Sequence, residues 1–147
     1  MIWLRWISWT LTFAYWALIC TLTHLPAEKI ARVPHFWDKA EHGLAYFLLA
    51  ALLGASFMFT FPERRAIPLW VLALGLGYGA LDEILQPLTG RDCELLDWVA
   101  DALGVWSAVV ILWMLQRKFI PKREPREPSG LPIIPPSAEP SAAKAET

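Results

Sequence analysis

Cysteine is nearly absent from this chain: Cys20 sits inside an apolar stretch and Cys93 in a short loop, without the paired spacing of a zinc or redox site. Both read as free thiols. Net charge is also nearly absent, at -1, so no basic field recommends nucleic acid as a partner, and Lys and Arg read as topology signals. The apolar runs lack the alternation of barrel strands, which span only about 10 residues. No small-x-small cleavage site follows the first run before Glu28, so that run reads as a retained helix and not as a signal peptide. There is no internal repeat. No Ser, Thr or Cys stands beside an evident base, which disfavours a covalent nucleophile. No recognised metal-ligand motif occurs.

What is present is apolar. The 147 residues make one domain, yet a hydrophobic share of 56% and nine tryptophans exceed what a soluble core uses. Four segments, at about 7–25, 43–61, 68–88 and 95–115, are long enough to cross roughly 30 Å of hydrocarbon at about 1.5 Å per residue. The expected fold is all-α, an integral membrane four-helix bundle over residues 1–116. Residues 117–147 follow as a tail of Pro, Lys, Arg, Glu, Ser and Ala, expected to be disordered and cytoplasmic.

Four crossings place both termini on one side. That side carries Arg5, Arg64, Arg65 and a cluster at Arg117, Lys118, Lys122, Arg123 and Arg126; the other carries Lys29, Arg32, Lys39 and Arg91. The positive-inside rule therefore expects cytoplasmic termini in a bacterial inner membrane, with the loops at 26–42 and 89–94 outside. Trp3, Trp6, Trp70 and Trp113 then mark the inner interface, and Trp37 and Trp98 the outer. Gly75, Gly77 and Gly79 have no strand before them and lie within a helical segment. Gly75 and Gly79 form a small-xxx-small pair that expects close helix packing.

Ionisable groups inside a span are costly, so their placement is informative. Asp38, Lys39, Glu41 and His42 open the second segment, Asp82, Glu83 and Gln86 close the third, and Asp97 and Asp101 open the fourth. Asp38, His42 and Tyr46 recur every four residues and share a helix face, as do Asp82 and Gln86. Asp97 and Asp38 also suit helix N-termini, where capping and the dipole stabilise a carboxylate by about 0.3 to 1 kcal/mol. Asp82 and Glu83 oppose the dipole at a C-terminus. Burial on insertion scales costs each about 2.5 to 3.5 kcal/mol more.

At these residues the sequence resembles the VanZ-like family. The pattern is Asp38, Lys39, His42 and Tyr46, then a glycine-rich helix ending in Gly79, Asp82, Glu83 and Gln86, then Gly90, Arg91, Asp97 and Gly104. The likeness covers roughly residues 10 to 115. It departs at Asp101, where many members carry Asn, so hydrogen bonding suffices there. The resemblance implies a bacterial envelope membrane protein, linked through the family's namesake to teicoplanin resistance, and implies no particular chemistry. From the residues, Asp82, Glu83 and His42 are the candidates for acid and base work. Asp38, Lys39, Tyr46, Gln86, Arg91, Asp97 and Asp101 are the candidates for holding substrate, with Lys39 and Arg91 toward an anionic head group. The expected partner is a membrane lipid or lipid-linked envelope component, or else a membrane protein docked without turnover. No cofactor is expected. A divalent ion with His42 as a ligand is left open.

Overall fold

The computed structural model describes residues 2–25, 35–91 and 93–119. Four helices follow in order: α1 (Ile2–Thr23), α2 (His35–Thr60), α3 (Ile67–Leu85) and α4 (Leu95–Phe119), with a 3₁₀ turn (Gln86–Thr89) after α3. The described residues contain no strand. All four helices are long and apolar enough to cross a membrane. The bundle is apolar outside as well as inside: Leu103, Trp106 and Met114 of α4 are more than half exposed, a surface that suits lipid and not water.

The helix ends differ from the sequence expectation in ways that have physical causes. α1 begins at Ile2, with Arg5 inside it, because Trp3, Leu4 and Trp6 extend the apolar pattern and the Arg5 guanidinium lies 5.9 Å over the Trp6 ring. α2 begins at His35, eight residues before the expected 43, since its polar first turns are helical and engage α4. α3 does not run on to 88. Pro87 has no N–H for the Glu83 carbonyl, so the chain tightens to a 3₁₀ turn that ends at Gly90 with φ 75°. α4 continues through Gln116, whose Nε2 donates to the Arg64 carbonyl at 3.2 Å, and through Arg117, whose guanidinium lies 3.6 Å over Trp113. The boundary expected at 116 therefore falls within α4. Residues 120–147, the rest of the expected tail, lie outside the described residues, as do Lys29 and Arg32.

α2 is the hub, packed on α4 and on α1, while α4 also packs on α3. The core it forms includes Tyr46, Ile67, Val71, Val105 and Ala108. Glycine sets the closest approaches. A Cβ on Gly75 would meet the Val105 methyls at 2.7 Å, so the small-xxx-small face of α3 packs on α4 as its spacing expects. A Cβ on Gly104 would collide with the Gly43 carbonyl, so α2 and α4 meet backbone to backbone.

Toward the end bearing Arg64 and Arg117, α1 and α2 are joined by polar contacts in an apolar setting. Thr12 Oγ1 and Ser56 Oγ lie 2.9 Å apart, both buried, and Trp9 Nε1 donates to Thr60 Oγ1 at 2.9 Å. Interhelical hydrogen bonds in membranes average about 0.6 kcal/mol and reach about 1.7. Ser56→Ala is expected to lower stability by about 1 kcal/mol in a steric-trapping unfolding measurement. A change below the error of that measurement would show the contact to be energetically idle.

Candidate functional site

The last turns of α1 and α3 meet the first turns of α2 and α4 at the end of the bundle away from Arg64 and Arg117. All ten residues singled out as candidates fall there. On the α2–α4 side, Lys39 Nζ is bonded to Asp97 Oδ1, reaches Glu94 Oε2 at 2.7 Å and lies 3.5 Å from Asp38 Oδ2. One turn deeper, His42 Nδ1 lies 3.0 Å from Asp101 Oδ1, and its Nε2 lies 3.8 Å from Asp97 Oδ2. Lys39, Asp97, His42 and Asp101 thus form a chain leading from the rim into the bundle. Asp97 and Asp101 are buried, and Asp38 is partly exposed. Asp97 occupies the first turn of α4, yet its carboxylate answers Lys39 and His42.

On the α1–α3 side, Thr23 Oγ1 donates to Asp82 Oδ1 at 2.9 Å, and His24 Nδ1 lies 3.6 Å from the same oxygen. Arg91 Nη1 donates to the Thr23 carbonyl at 3.2 Å, tying the loop after α3 to the end of α1. Glu83 faces elsewhere: Gln86 Nε2 donates to its Oε1 and the Glu94 N–H to its Oε2, each at 3.1 Å. Asp82 and Glu83 are adjacent in sequence but serve different halves of the site, so they are not a pair sharing one proton. Gln86 gives its backbone N–H to the Asp82 carbonyl but its side-chain amide to Glu83, three residues back and also a helical neighbour.

Two features give this end chemical capacity. Among the described residues, four buried side-chain polar atoms lack a partner: the hydroxyls of Tyr46 and Tyr78, Asp82 Oδ2 and Asp101 Oδ2. Buried polar atoms are rarely left so, and their gathering marks a place for a ligand or proton. A cavity of about 260 Å³, reached among these four by Tyr46 alone, is lined by Thr23, Asp38, Glu41, His42, Tyr46 and Arg91, with Ile19, Leu22 and Leu25 as its apolar wall. Tyr46 also lines a second cavity of about 200 Å³, almost wholly apolar, between Trp9, Phe13 and Trp16 of α1 and Leu74 and Tyr78 of α3. The α2 face of Asp38, His42 and Tyr46 therefore runs from the polar cavity to the apolar one.

Sequence spacing misses Thr23, His24 and Glu94. Thr23 corrects the expectation that no hydroxyl stands beside a base, since its Oγ1 donates a hydrogen bond to Asp82 across 59 residues of sequence. The available signal is position alone: Thr23 and His24 close the first apolar run, and Glu94 stands just before α4. Cys20 and Cys93 are both free and exposed.

With this geometry in view, the sequence can be set beside known proteins. Over 110 residues, 74% of this chain and 67% of its relative, it is 30% identical to the uncharacterized protein C11E3.10 of Schizosaccharomyces pombe. The chain belongs to that protein's family. No protein-family model matches it, and neither does any solved structure.

Proposed function

We propose that this is a VanZ-like multi-pass protein of a bacterial inner membrane, both termini cytoplasmic, whose extracytoplasmic pocket binds the phosphate or sugar head of a lipid-linked envelope component. The observation that carries the reading is the junction at Tyr46 of a polar cavity holding Arg91 and His42 with an apolar one. That arrangement matches an amphiphile, with its head among charged groups and its chain among tryptophans. The polar cavity is smaller than a drug-sized site and suits a head group and not a whole lipid. The Arg91 guanidinium has five donors in a planar fork, of which one bond goes to the Thr23 carbonyl, and a phosphate fits such a fork. Orientation rests on the Lys and Arg imbalance between the two ends of the bundle.

Binding and turnover separate cleanly. Purified protein in nanodiscs is expected to bind a fluorescent polyprenyl phosphate in preference to the neutral polyprenol. Arg91→Gln is expected to weaken that binding about tenfold, the worth of a charge-assisted hydrogen bond. Equal affinity for the phosphate and the alcohol would sink the reading. If the lipid binds but is recovered unchanged, with teicoplanin sensitivity altered in a deletion strain, the protein is an accessory binder. Release of phosphate that Glu83→Gln or Asp82→Asn abolishes, in a folded protein, assigns it as an enzyme.

A further inference from the structure

The cation balance at the site is uneven. Lys39 answers Asp97, Glu94 and Asp38. Among the described residues no lysine or arginine is paired with Asp82, Glu83 or Asp101, although each is at least 95% buried. Carboxylates so placed require protons or a cation of another kind. His42, Glu83 and Asp101 each present a ligand atom, and these three atoms lie within 4.8 Å of one another.

We infer that His42, Glu83 and Asp101 hold a divalent metal ion next to the polar cavity, with His42, which alone of the three lines that cavity, as the ligand between them. The inference rests on the reading of that cavity as a head-group site, because the ion's open positions would face a phosphate. Three observations support it beyond the clustering of acids. Asp101 Oδ2 is buried without any partner, while Oδ1 lies 3.0 Å from His42 Nδ1. That separation is about the edge between neighbouring ligands around an ion at roughly 2.1 Å.

The supporting groups are also in place. The Gln86 amide and the Glu94 N–H orient the Glu83 carboxylate and leave each oxygen a lone pair. His42 turns its other nitrogen toward Asp97, 3.8 Å away and itself held by Lys39, which places a carboxylate on the far side of the imidazole. A second grouping, Asp38, His42 and Asp97, is weaker because the Lys39 ammonium already sits on Asp97 and Asp38. One imidazole with two carboxylates favours Mn²⁺ or Zn²⁺ over Ca²⁺.

The test is Mn²⁺ alone, titrated into the full-length protein in detergent after chelation and followed by electron paramagnetic resonance. Wild type is expected to bind about one ion per chain, displaced by Zn²⁺ and not by Ca²⁺. Glu83→Gln and Asp101→Ala are each expected to weaken binding at least tenfold. Glu63→Gln, at the far end of the bundle, is expected to leave it unchanged. Thermal melts of each variant report whether it is folded; should one fail to fold, displacement and stoichiometry in wild type still decide. No Mn²⁺ or Zn²⁺ bound to folded wild type, or binding that survives both site substitutions, overturns the ion. Polyprenyl phosphate binding by a protein that takes up no Mn²⁺ or Zn²⁺ overturns the ion while leaving the head-group reading intact. A bound ion with no preference for phosphate overturns the reading while leaving the ion.

Discussion

Lys39→Met is expected to lower stability by about 3 kcal/mol and to loosen the pocket end of α2 from α4. The methionine keeps most of the side chain's bulk but removes the ammonium that holds Asp97, Glu94 and Asp38. Asp97 then stays buried with the His42 ring 3.8 Å away and no ammonium on it, and breaking a buried pair by removing one partner costs more than the intact pair contributes. The sign of the effect is fixed by this residual charge, so the double variant Lys39→Met with Asp97→Asn is expected to regain about half of the loss. Steric trapping of the single and double variants measures both quantities. A single-variant loss below about 1 kcal/mol would place the pair among exposed ion pairs of little value.

Gly104→Ala is expected to cost about as much for a different reason. The added methyl points at the Gly43 carbonyl and lies 3.0 Å from the Phe47 nitrogen, both backbone atoms that no rotamer change can move aside. α2 and α4 must part, and overpacking of this kind costs about 1 to 3 kcal/mol. The shift also reaches the site, because His42 adjoins Gly43 and Asp101 lies one turn before Gly104. Gly77→Ala makes the comparison sharp. A Cβ there meets nothing within 4 Å, so the helix gains about 1 kcal/mol from alanine's higher propensity. Thermal melts of the two variants should move in opposite directions. If both fall together, contact geometry is not what distinguishes them.

Much of this architecture is legible in the order of residues because membrane chemistry is restrictive. Continuous apolar runs about 20 residues long have few alternatives to a helix, and the intramembrane acids on the second, third and fourth runs fall at one end by simple counting. The four-residue spacing of Asp38, His42 and Tyr46 gives their common face directly. What spacing does not carry is pairing. Nothing local distinguishes Asp82, which turns to Thr23 of α1, from Glu83, which turns to Gln86 and the backbone of Glu94. Their partners depend on how four helices rotate against one another, and that is set by contacts such as Gly43 on Gly104. Gln86 is a helical neighbour of both Asp82 and Glu83, and the four-residue spacing alone does not say that its amide goes to Glu83. The early start of α2 escapes a hydropathy reading for a related reason: its polar first turns count against a span until Asp97 and Asp101 are known to answer them.

Lys39 and His42 lie 58 and 59 residues ahead of the carboxylates that answer them. During synthesis α2 therefore emerges long before α4 exists. Until α4 arrives, Lys39 has only Asp38 of its own helix to answer it, and His42 lacks Asp97 and Asp101. Stable integration has to wait for the last helix, with the earlier ones sheltered at the insertion machinery or held near the interface. A nascent chain cut after α3 should stay extractable or be degraded, and the addition of α4 should lock all four helices into the bilayer in one step.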